Sequence, residues 1–290
     1  MSSRQTRAAV NPHVNISPAH GVQGVPGLDE QMKITMLGAG QEVGRSCCVI
    51  EYKSTTVVCD TGIHPAFSGM AALPFIDEIT HSVFRGFSFS LHIRPTSRRD
   101  MEKCIFAFDI FFGSSQSHQI FLLSAQVFMT HPTKAVYRFL MQDFVRMSTI
   151  GTDSELFNEE QMIASYDSIN AIDYHQEISL GSLRFTSYPA GHVLGAAMFL
   201  IEISGIRVLY TGDYSTEEDR HLIPARVPNW NEKPDVMICE STYGVQSLEP
   251  RFEKEERFTT LVQSILKRGG RVLMPVFALG RAQELLLILD

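Results

Sequence analysis

The sequence predicts a mixed α/β fold. In the first half of the chain, apolar runs of strand length are bounded by glycines and polar turns. In the second half, such runs alternate with amphipathic stretches of helix length. A chain of 290 residues, of which 44% are apolar, can also bury a sizeable core.

The elements follow in chain order. Residues 1–30 are polar and contain three prolines, so we predict a disordered tail. MKITML is then a predicted strand, GAGQEVGRS a glycine turn, and CCVIEY and TTVVCD a pair of buried strands.

The glycine turn has the spacing G-x-G-x-x-x-G, one residue away from the dinucleotide-binding fingerprint, and it leads into a strand rather than a helix. We therefore interpret its glycines as residues of a tight turn that requires positive φ.

The later elements alternate between the two periodicities. VFMTH at 127–131 is a predicted strand, and Pro132 opens the helix PTKAVYRFLMQDFVRM. Three strands follow in SLRFTSYP, AAMFLIEIS and IRVLYTGD, with a Ser204-Gly205 turn between the last two. DVMICES and RVLMPVF are further predicted strands, while KEERFTTLVQSILKRGG and GRAQELLLILD are predicted helices.

Composition narrows the classes of function. A net charge of −7 and a pI near 5.8 argue against coating nucleic acid by bulk electrostatics, although a local basic groove remains compatible with them. No run of 18 apolar residues exists, so we expect no membrane span. The five cysteines include no C-x-x-C pair, which favours reduced core thiols of an intracellular protein over zinc ligands. They are Cys47, Cys48, Cys59, Cys104 and Cys239.

Four predicted strands end in a carboxylate or an imidazole beside a glycine or a turn. These residues are Asp60, His192, Asp213 and Glu240. Strand ends hold side chains in place while the following loops leave access, so such positions favour a reactive site. Carboxylates and imidazoles presented this way suit a divalent ion such as zinc. Each residue alone also has an ordinary structural explanation, as a helix cap, an Asx turn or a turn residue.

Several stretches resemble, in the same order, the metallo-β-lactamase/β-CASP nucleases. They are LGAGQEVGRSC, CDTGIHP, AGHVLGAAMF, YTGDYS-x-x-EDRHL, ESTYG and PVFALGRAQELLLILD. More narrowly, GMAALPFID and EEDRHL are similar to the endonuclease subunits of cleavage and polyadenylation complexes rather than to their Integrator relative. The resemblance covers 33–77 and 127–290. It implies a metallo-β-lactamase αββα sandwich over 31–235 and the start of an incomplete β-CASP domain over 236–290.

The resemblance also implies a function. Members of this family branch are nuclear, zinc-dependent endoribonucleases that cut pre-mRNA before polyadenylation. Their partners are the other subunits of the complex, and no membrane is involved. Carried over residue by residue, His192 is a ligand of one of two zinc ions and Asp213 bridges both. Asp60 and Glu240 are implied catalytic residues, Asp60 as a support behind the ligands and Glu240 as the residue that orients a catalytic histidine.

The family's second motif, H-x-H-x-D-H, is missing from its expected place between LPFID and VFMTH. Residues 78–126 stand there instead, rich in phenylalanine and serine and without clean periodicity. His81, His92 and His118 lie in this segment, 11 and 26 residues apart, and we do not expect them to rebuild the motif. We interpret the segment as a foreign insertion, from an intron or a gene-model error. It should therefore place no strand beside VVCD.

Two metal ligands do not make a catalytic zinc site, which normally has three protein ligands and an open position. We therefore expect this chain to be catalytically incomplete, also because it stops before the later β-CASP histidines. A non-catalytic scaffold homologue in the same complex is the alternative. A hydrolase of small substrates is disfavoured by PVFALGRAQELLLILD. If the resemblance is right, His192 and Asp213 converge at one sheet edge with Asp60 close behind.

Overall fold

The structure is a computed structural model that describes part of the chain. The described residues are 13–16, 31–62, 64, 67, 71, 73–75, 103–106, 126–150, 158–227, 233–276 and 279–290. Within these ranges the strands form two sheets, one of seven strands and one of five. The fold is therefore of the predicted mixed α/β class.

The first sheet contains seven strands, which lie side by side in chain order. They are β1 (His13–Ile16), β2 (Met32–Gly38), β3 (Cys47–Tyr52), β4 (Thr55–Cys59), β5 (Lys103–Phe106), β6 (Gln126–Thr130) and β7 (Ile169–Ile172). Neighbours are antiparallel from β1 to β4 and parallel from β4 to β7. Consequently β2 and the four strands from β4 onward all end at one edge of the sheet.

The second sheet contains five strands in the order β12-β11-β10-β9-β8. They are β8 (Glu177–Leu180), β9 (Leu183–Pro189), β10 (Ala197–Ile203), β11 (Ile206–Tyr210) and β12 (Val236–Ile238). Neighbours are antiparallel except for the parallel pair β11 and β12. The ends of β9, β11 and β12 therefore share an edge. The predicted turn between β10 and β11 is confirmed, with φ of 48° at Ser204 and 90° at Gly205.

Helices follow the strands. They are α1 (His131–Ile150), α2 (Glu159–Ser168), α3 (Arg251–Lys267) and α4 (Arg281–Leu289). The predicted α1, α3 and α4 are confirmed, whereas α2 was not predicted; it begins with a capping box between Asn158 and Gln161. Among the described residues, no helix has the length and apolar character that crossing a membrane requires.

The main core lies between the two sheets. Its cluster joins Ile50 and Phe128 of the first sheet to Phe185 and Phe199 of the second. Alternate residues of each strand face this interior because successive side chains of a strand point to opposite sides. A second cluster packs Met141 of α1, together with Met162 of α2, against the outer face of the first sheet. The two sheets are thus fixed face to face, which brings their carboxyl-end edges together.

The expectation that residues 78–126 place no strand beside VVCD is wrong. Strand β5, residues 103–106, pairs in parallel with β4 on one side and with β6 on the other. The facing edges of β4 and β6 need a strand between them to satisfy their backbone donors and acceptors. The short run KCIF provides that strand. It escaped prediction because an apolar run of strand length can be as short as four residues. Apart from Gln126, the first residue of β6, the rest of the segment lies outside the described residues.

Other expectations also need correction. The tail prediction fails at residues 13–16, which pair with β2 as an edge strand; the remainder of 1–30 is not described. RVLMPVF is not a strand over 271–276, since an isolated strand leaves its backbone groups without ladder partners. Cys47, Cys48 and Cys59 are free and buried as predicted, but Cys239 is exposed.

The backbone conformation of the glycine turn after β2 differs from the prediction. Of its three glycines only Gly44 has positive φ, at 104°. Gly38 is needed for a close approach, because a Cβ there would fall 1.8 Å from the carbonyl oxygen of Arg45.

Candidate metal and active site

The four residues singled out from the sequence all follow strands that end at the shared edge. Asp60 comes directly after β4, and His192, Asp213 and Glu240 follow β9, β11 and β12 within a few residues. Asp60, His192 and Asp213 line one cavity. His192 Nε2 lies 3.9 Å from Asp213 Oδ2, and the two side chains are 37% and 39% exposed. The predicted convergence of these residues at one sheet edge is confirmed.

Asp60 forms the floor of this site. Its side chain is 2% exposed, and it accepts a hydrogen bond from the hydroxyl group of Tyr210. Burial raises the pKa of Tyr210 well above its ordinary value, and the neighbouring Asp60 raises it further, so the phenol stays a neutral donor. Asp60 also has a left-handed backbone, with φ of 63°, a conformation that aspartate tolerates better than most residues. The carboxylate is thereby held buried at the cavity that His192 and Asp213 also line.

Asp213 and Glu240 form a pair of neighbouring carboxylates. Burial raises the pKa of Asp213 above its ordinary value, the charge of Glu240 raises it further, and His192 acts in the opposite direction. Glu240 itself accepts hydrogen bonds from the Tyr214 backbone N–H at 2.9 Å and from Thr242 Oγ1 at 2.6 Å. These bonds hold Glu240 beside the loop that carries Asp213.

Backbone contacts join the two loops that carry the candidate ligands. The N–H of Ser215, two residues after Asp213, donates to the carbonyl of Ala190, two residues before His192, at 2.8 Å. Ala225 N–H donates to the Ser215 carbonyl, also at 2.8 Å. Gly191 permits this approach, since its φ is +74° and a Cβ would fall 2.5 Å from the Ser215 carbonyl oxygen. The spacing of His192 and Asp213 is therefore set by main-chain packing.

Two buried threonines hold the other end of the His192 loop. The hydroxyl groups of Thr130 and Thr133 donate to the Gly195 carbonyl, at 2.7 and 2.9 Å. Tyr174 donates to the next carbonyl, that of Ala196, at 3.0 Å. None of these three residues is predicted from the sequence as part of the site. Their only local signal is the pattern T-H-P-T at a strand-to-helix junction, which is equally typical of an ordinary helix start.

An ion-pair cluster anchors the segment that follows Asp213 to the helices α3 and α4. Arg220 donates two hydrogen bonds to Glu255 of α3, at 2.7 and 2.6 Å. Arg251 also donates to Glu255, at 2.7 Å, and it contacts Glu284 of α4. Two guanidinium groups thus share one carboxylate, and their hydrogen bonds lower the pKa of Glu255 from 4.5 to about 2.

We expect Glu255→Gln to destabilise the protein at neutral pH and progressively less in acid. The pKa of Glu255 is lower in the folded than in the unfolded chain. Its stabilisation is therefore complete above the ordinary value of 4.5 and is lost as the pH falls toward about 2. The cluster is largely at the surface, so the expected decrease in melting temperature at pH 7 is only about 2 °C.

Thermal unfolding of the two proteins at a series of pH values measures this effect. Glu256→Gln is the matched control, because Glu256 is an exposed neighbour on the same helix. A difference between wild type and Glu255→Gln that does not change with pH would contradict the electrostatic origin.

The described residues do not compose a complete metal site. His192 and Asp213 have the donor chemistry that zinc accepts. However, Asp60 is engaged by Tyr210, and Glu240 by Tyr214 and Thr242. In the ranges that the structure describes, no three or more His, Cys, Asp or Glu side chains form a group that could hold a metal ion. The segment expected to carry the second motif lies outside those ranges, apart from β5.

The two sheets and the residues at their shared edge define a class of protein. Residues 99–242 match the family described as metallo-beta-lactamase superfamily domain, and this part of the chain belongs to that superfamily. The match begins inside 78–126, so the later part of this segment is not foreign to the superfamily. The superfamily implies dependence on a metal.

Comparison with curated proteins places the chain more narrowly. It is 57% identical over 278 residues to Endoribonuclease YSH1 of Mycosarcoma maydis, covering 94% of this chain and 30% of that protein. It is 46% identical over 264 residues to cleavage and polyadenylation specificity factor subunit 3-I of Arabidopsis thaliana. That match covers 90% of this chain and 35% of the Arabidopsis protein. It is 48% identical over 259 residues to cleavage and polyadenylation specificity factor 73 of Drosophila melanogaster. That match covers 89% of this chain and 36% of the Drosophila protein. The chain is a homologue of these proteins and spans about a third of their length.

Proposed function

We propose that this protein is a zinc-dependent endoribonuclease subunit for cleavage of pre-mRNA before polyadenylation, and that this chain is catalytically incomplete. One observation carries the proposal: His192 and Asp213 converge, 3.9 Å apart, over the buried Asp60. The identity of 46–57% to proteins named as endoribonucleases or as polyadenylation specificity factors supports the same assignment.

The proposed roles follow from the contacts of each residue. His192 and Asp213 are partly exposed in the cavity and are the proposed metal ligands. Asp60 supports them from behind, since Tyr210 fixes its carboxylate. Glu240, held by Tyr214 and Thr242, is placed to orient a further catalytic group. Two ligands leave the coordination of zinc unfilled, so the part of the chain that the structure describes supports no catalytic step by itself.

The proposed substrate, partners and location rest on the relatives. Two of them are named as cleavage and polyadenylation specificity factors. Pre-mRNA, the other subunits of that complex and the nucleus are therefore the proposed substrate, partners and location of this protein. The net charge of −7 fits a subunit that reaches RNA within an assembly rather than by its own bulk charge.

A chimera tests the proposal. The chain replaces the matching segment of the Mycosarcoma maydis relative, once as it stands and once with H-x-H-x-D-H restored after β5. We expect zinc-dependent RNA cleavage only from the repaired chimera, and we expect Asp213→Asn to abolish it. A repaired chimera that assembles with its partners and binds zinc but does not cut RNA would favour the scaffold alternative.

A further inference from the structure

A cluster of flat side chains lies in the segments that follow β2 and β4 and has no part in the proposed chemistry. The Arg45 guanidinium lies 4.7 Å from the ring centre of Phe75 and 5.9 Å from that of Phe67. The ring of His64 lies 4.3 Å from that of Phe67, tilted by 35°. We call these four residues the aromatic platform.

The platform is fixed to the sheet edge that carries Asp60. Phe75 N–H donates to the carbonyl of Leu37, at the end of β2, at 2.9 Å. Gly62, two residues after Asp60, donates from its N–H to the Ser46 carbonyl at 2.9 Å. A Cβ at Gly62 would fall 3.4 Å from Arg45 Cα. The platform is thus built on the same strand ends as the candidate site.

The platform presents aromatic surface and little free charge. Phe67 is 49% exposed and Phe75 is 57% exposed. The Arg45 side chain is only 15% exposed and forms an ion pair with Glu42 at 2.5 Å. It also donates to the Ala71 carbonyl at 3.3 Å. Since Glu42 neutralises Arg45, this surface favours stacking on a flat ring over attraction of a phosphate.

We propose that the aromatic platform stacks an unpaired base of single-stranded RNA that crosses the candidate site. The inference rests on the proposed function and adds a subsite to it. Bases of single-stranded RNA stack on aromatic rings and guanidinium planes, largely irrespective of sequence. Phe67 and Phe75 flank the Arg45 guanidinium, and the backbone N–H groups of both phenylalanines are anchored by hydrogen bonds before any ligand arrives. The ligand class is a nucleobase of an unpaired strand.

The test measures binding of a short single-stranded RNA that carries 2-aminopurine, whose fluorescence is quenched by stacking. We expect Phe75→Leu and Phe67→Leu each to weaken binding about tenfold and to abolish the quenching. The dependence of affinity on salt should stay the same, because no phosphate contact is removed. An oligonucleotide with abasic sites should bind wild type as weakly as the variants bind the intact strand. Phe75→Tyr should restore binding, since it keeps the ring.

Phe139→Leu is the matched control, because Phe139 is 64% exposed on α1 and lies outside the platform. Circular dichroism confirms that each variant is folded. RNA binding unchanged in both leucine variants would overturn the platform and leave the proposed function standing. Wild-type protein that binds no RNA would also overturn it, while the cleavage assay on the repaired chimera decides the proposed function separately.

Discussion

Restoring the second motif is expected to raise the zinc content of the purified chain sharply, because structural zinc sites with a full ligand set gain on the order of 10 kcal/mol. Four substitutions place H-x-H-x-D-H directly after β5: Ala107→His, Asp109→His, Phe111→Asp and Phe112→His. The end of β5 lies between the ends of β4 and β6, at the edge that holds Asp60. We therefore expect the new side chains to complete the ligand set of His192 and Asp213, and a site with enough ligands binds zinc far more tightly than two ligands do.

Metal analysis of the purified proteins measures the zinc content. His192→Asn in the repaired chain should lower it again, whereas His175→Asn should not. His175 is a suitable control because it lies outside the cavity, and its φ of 64° is one that asparagine tolerates. Two tightly bound zinc ions in the unrepaired chain, or no increase on repair, would contradict this account of the incomplete site.

Gly191→Ala is expected to lower the free energy of unfolding by about 3 kcal/mol. A left-handed alanine alone costs about 1–2 kcal/mol. The added Cβ would also lie 2.5 Å from the Ser215 carbonyl oxygen and 2.8 Å from the Ala225 nitrogen. These two atoms form a hydrogen bond with each other, which must break or move. Urea denaturation measures the loss, and the neighbouring His192 should be displaced from Asp213.

Gly269→Ala separates the two contributions. Gly269 has a φ of +72°, nearly that of Gly191, but nothing lies within 4 Å of its added Cβ. We therefore expect only the conformational cost of about 1–2 kcal/mol there. Equal losses in the two variants would mean that the close packing of the His192 loop contributes nothing to stability.

Most of the fold could be predicted because its strands are short apolar runs with clear turns. For CCVIEY, AAMFLIEIS and IRVLYTGD, the local sequence favours a strand and the neighbouring strands favour the same structure. RVLMPVF has the same local character, but a strand also needs a neighbour, and local sequence does not report one. KCIF is the opposite case. Its local sequence predicts a strand only weakly, but hydrogen bonding to β4 on one side and β6 on the other makes it one. Helix α2 was not predicted, although the capping box at its start is visible in the sequence.

The site was predictable where it depends on strand ends and was not where it depends on distant contacts. Asp60, His192, Asp213 and Glu240 each follow a recognisable strand. The partner of Asp60 is Tyr210, 150 positions further along the chain. The threonines that hold the Gly195 carbonyl are 65 and 62 positions away from it. Such pairings arise only once the two sheets have packed, so a local pattern does not contain them.

The hydrogen bond from Ser215 to the Ala190 carbonyl bears on how this protein family evolves. It joins the two ligand-bearing loops through the main chain, so it needs a glycine at position 191 but does not depend on the side chains of the ligands or on any bound ion. A gene copy that loses part of its ligand set therefore keeps this link between the two loops that carry the remaining ligands. Catalysis in such a lineage can decay and be regained through a few codons, without the architecture being rebuilt.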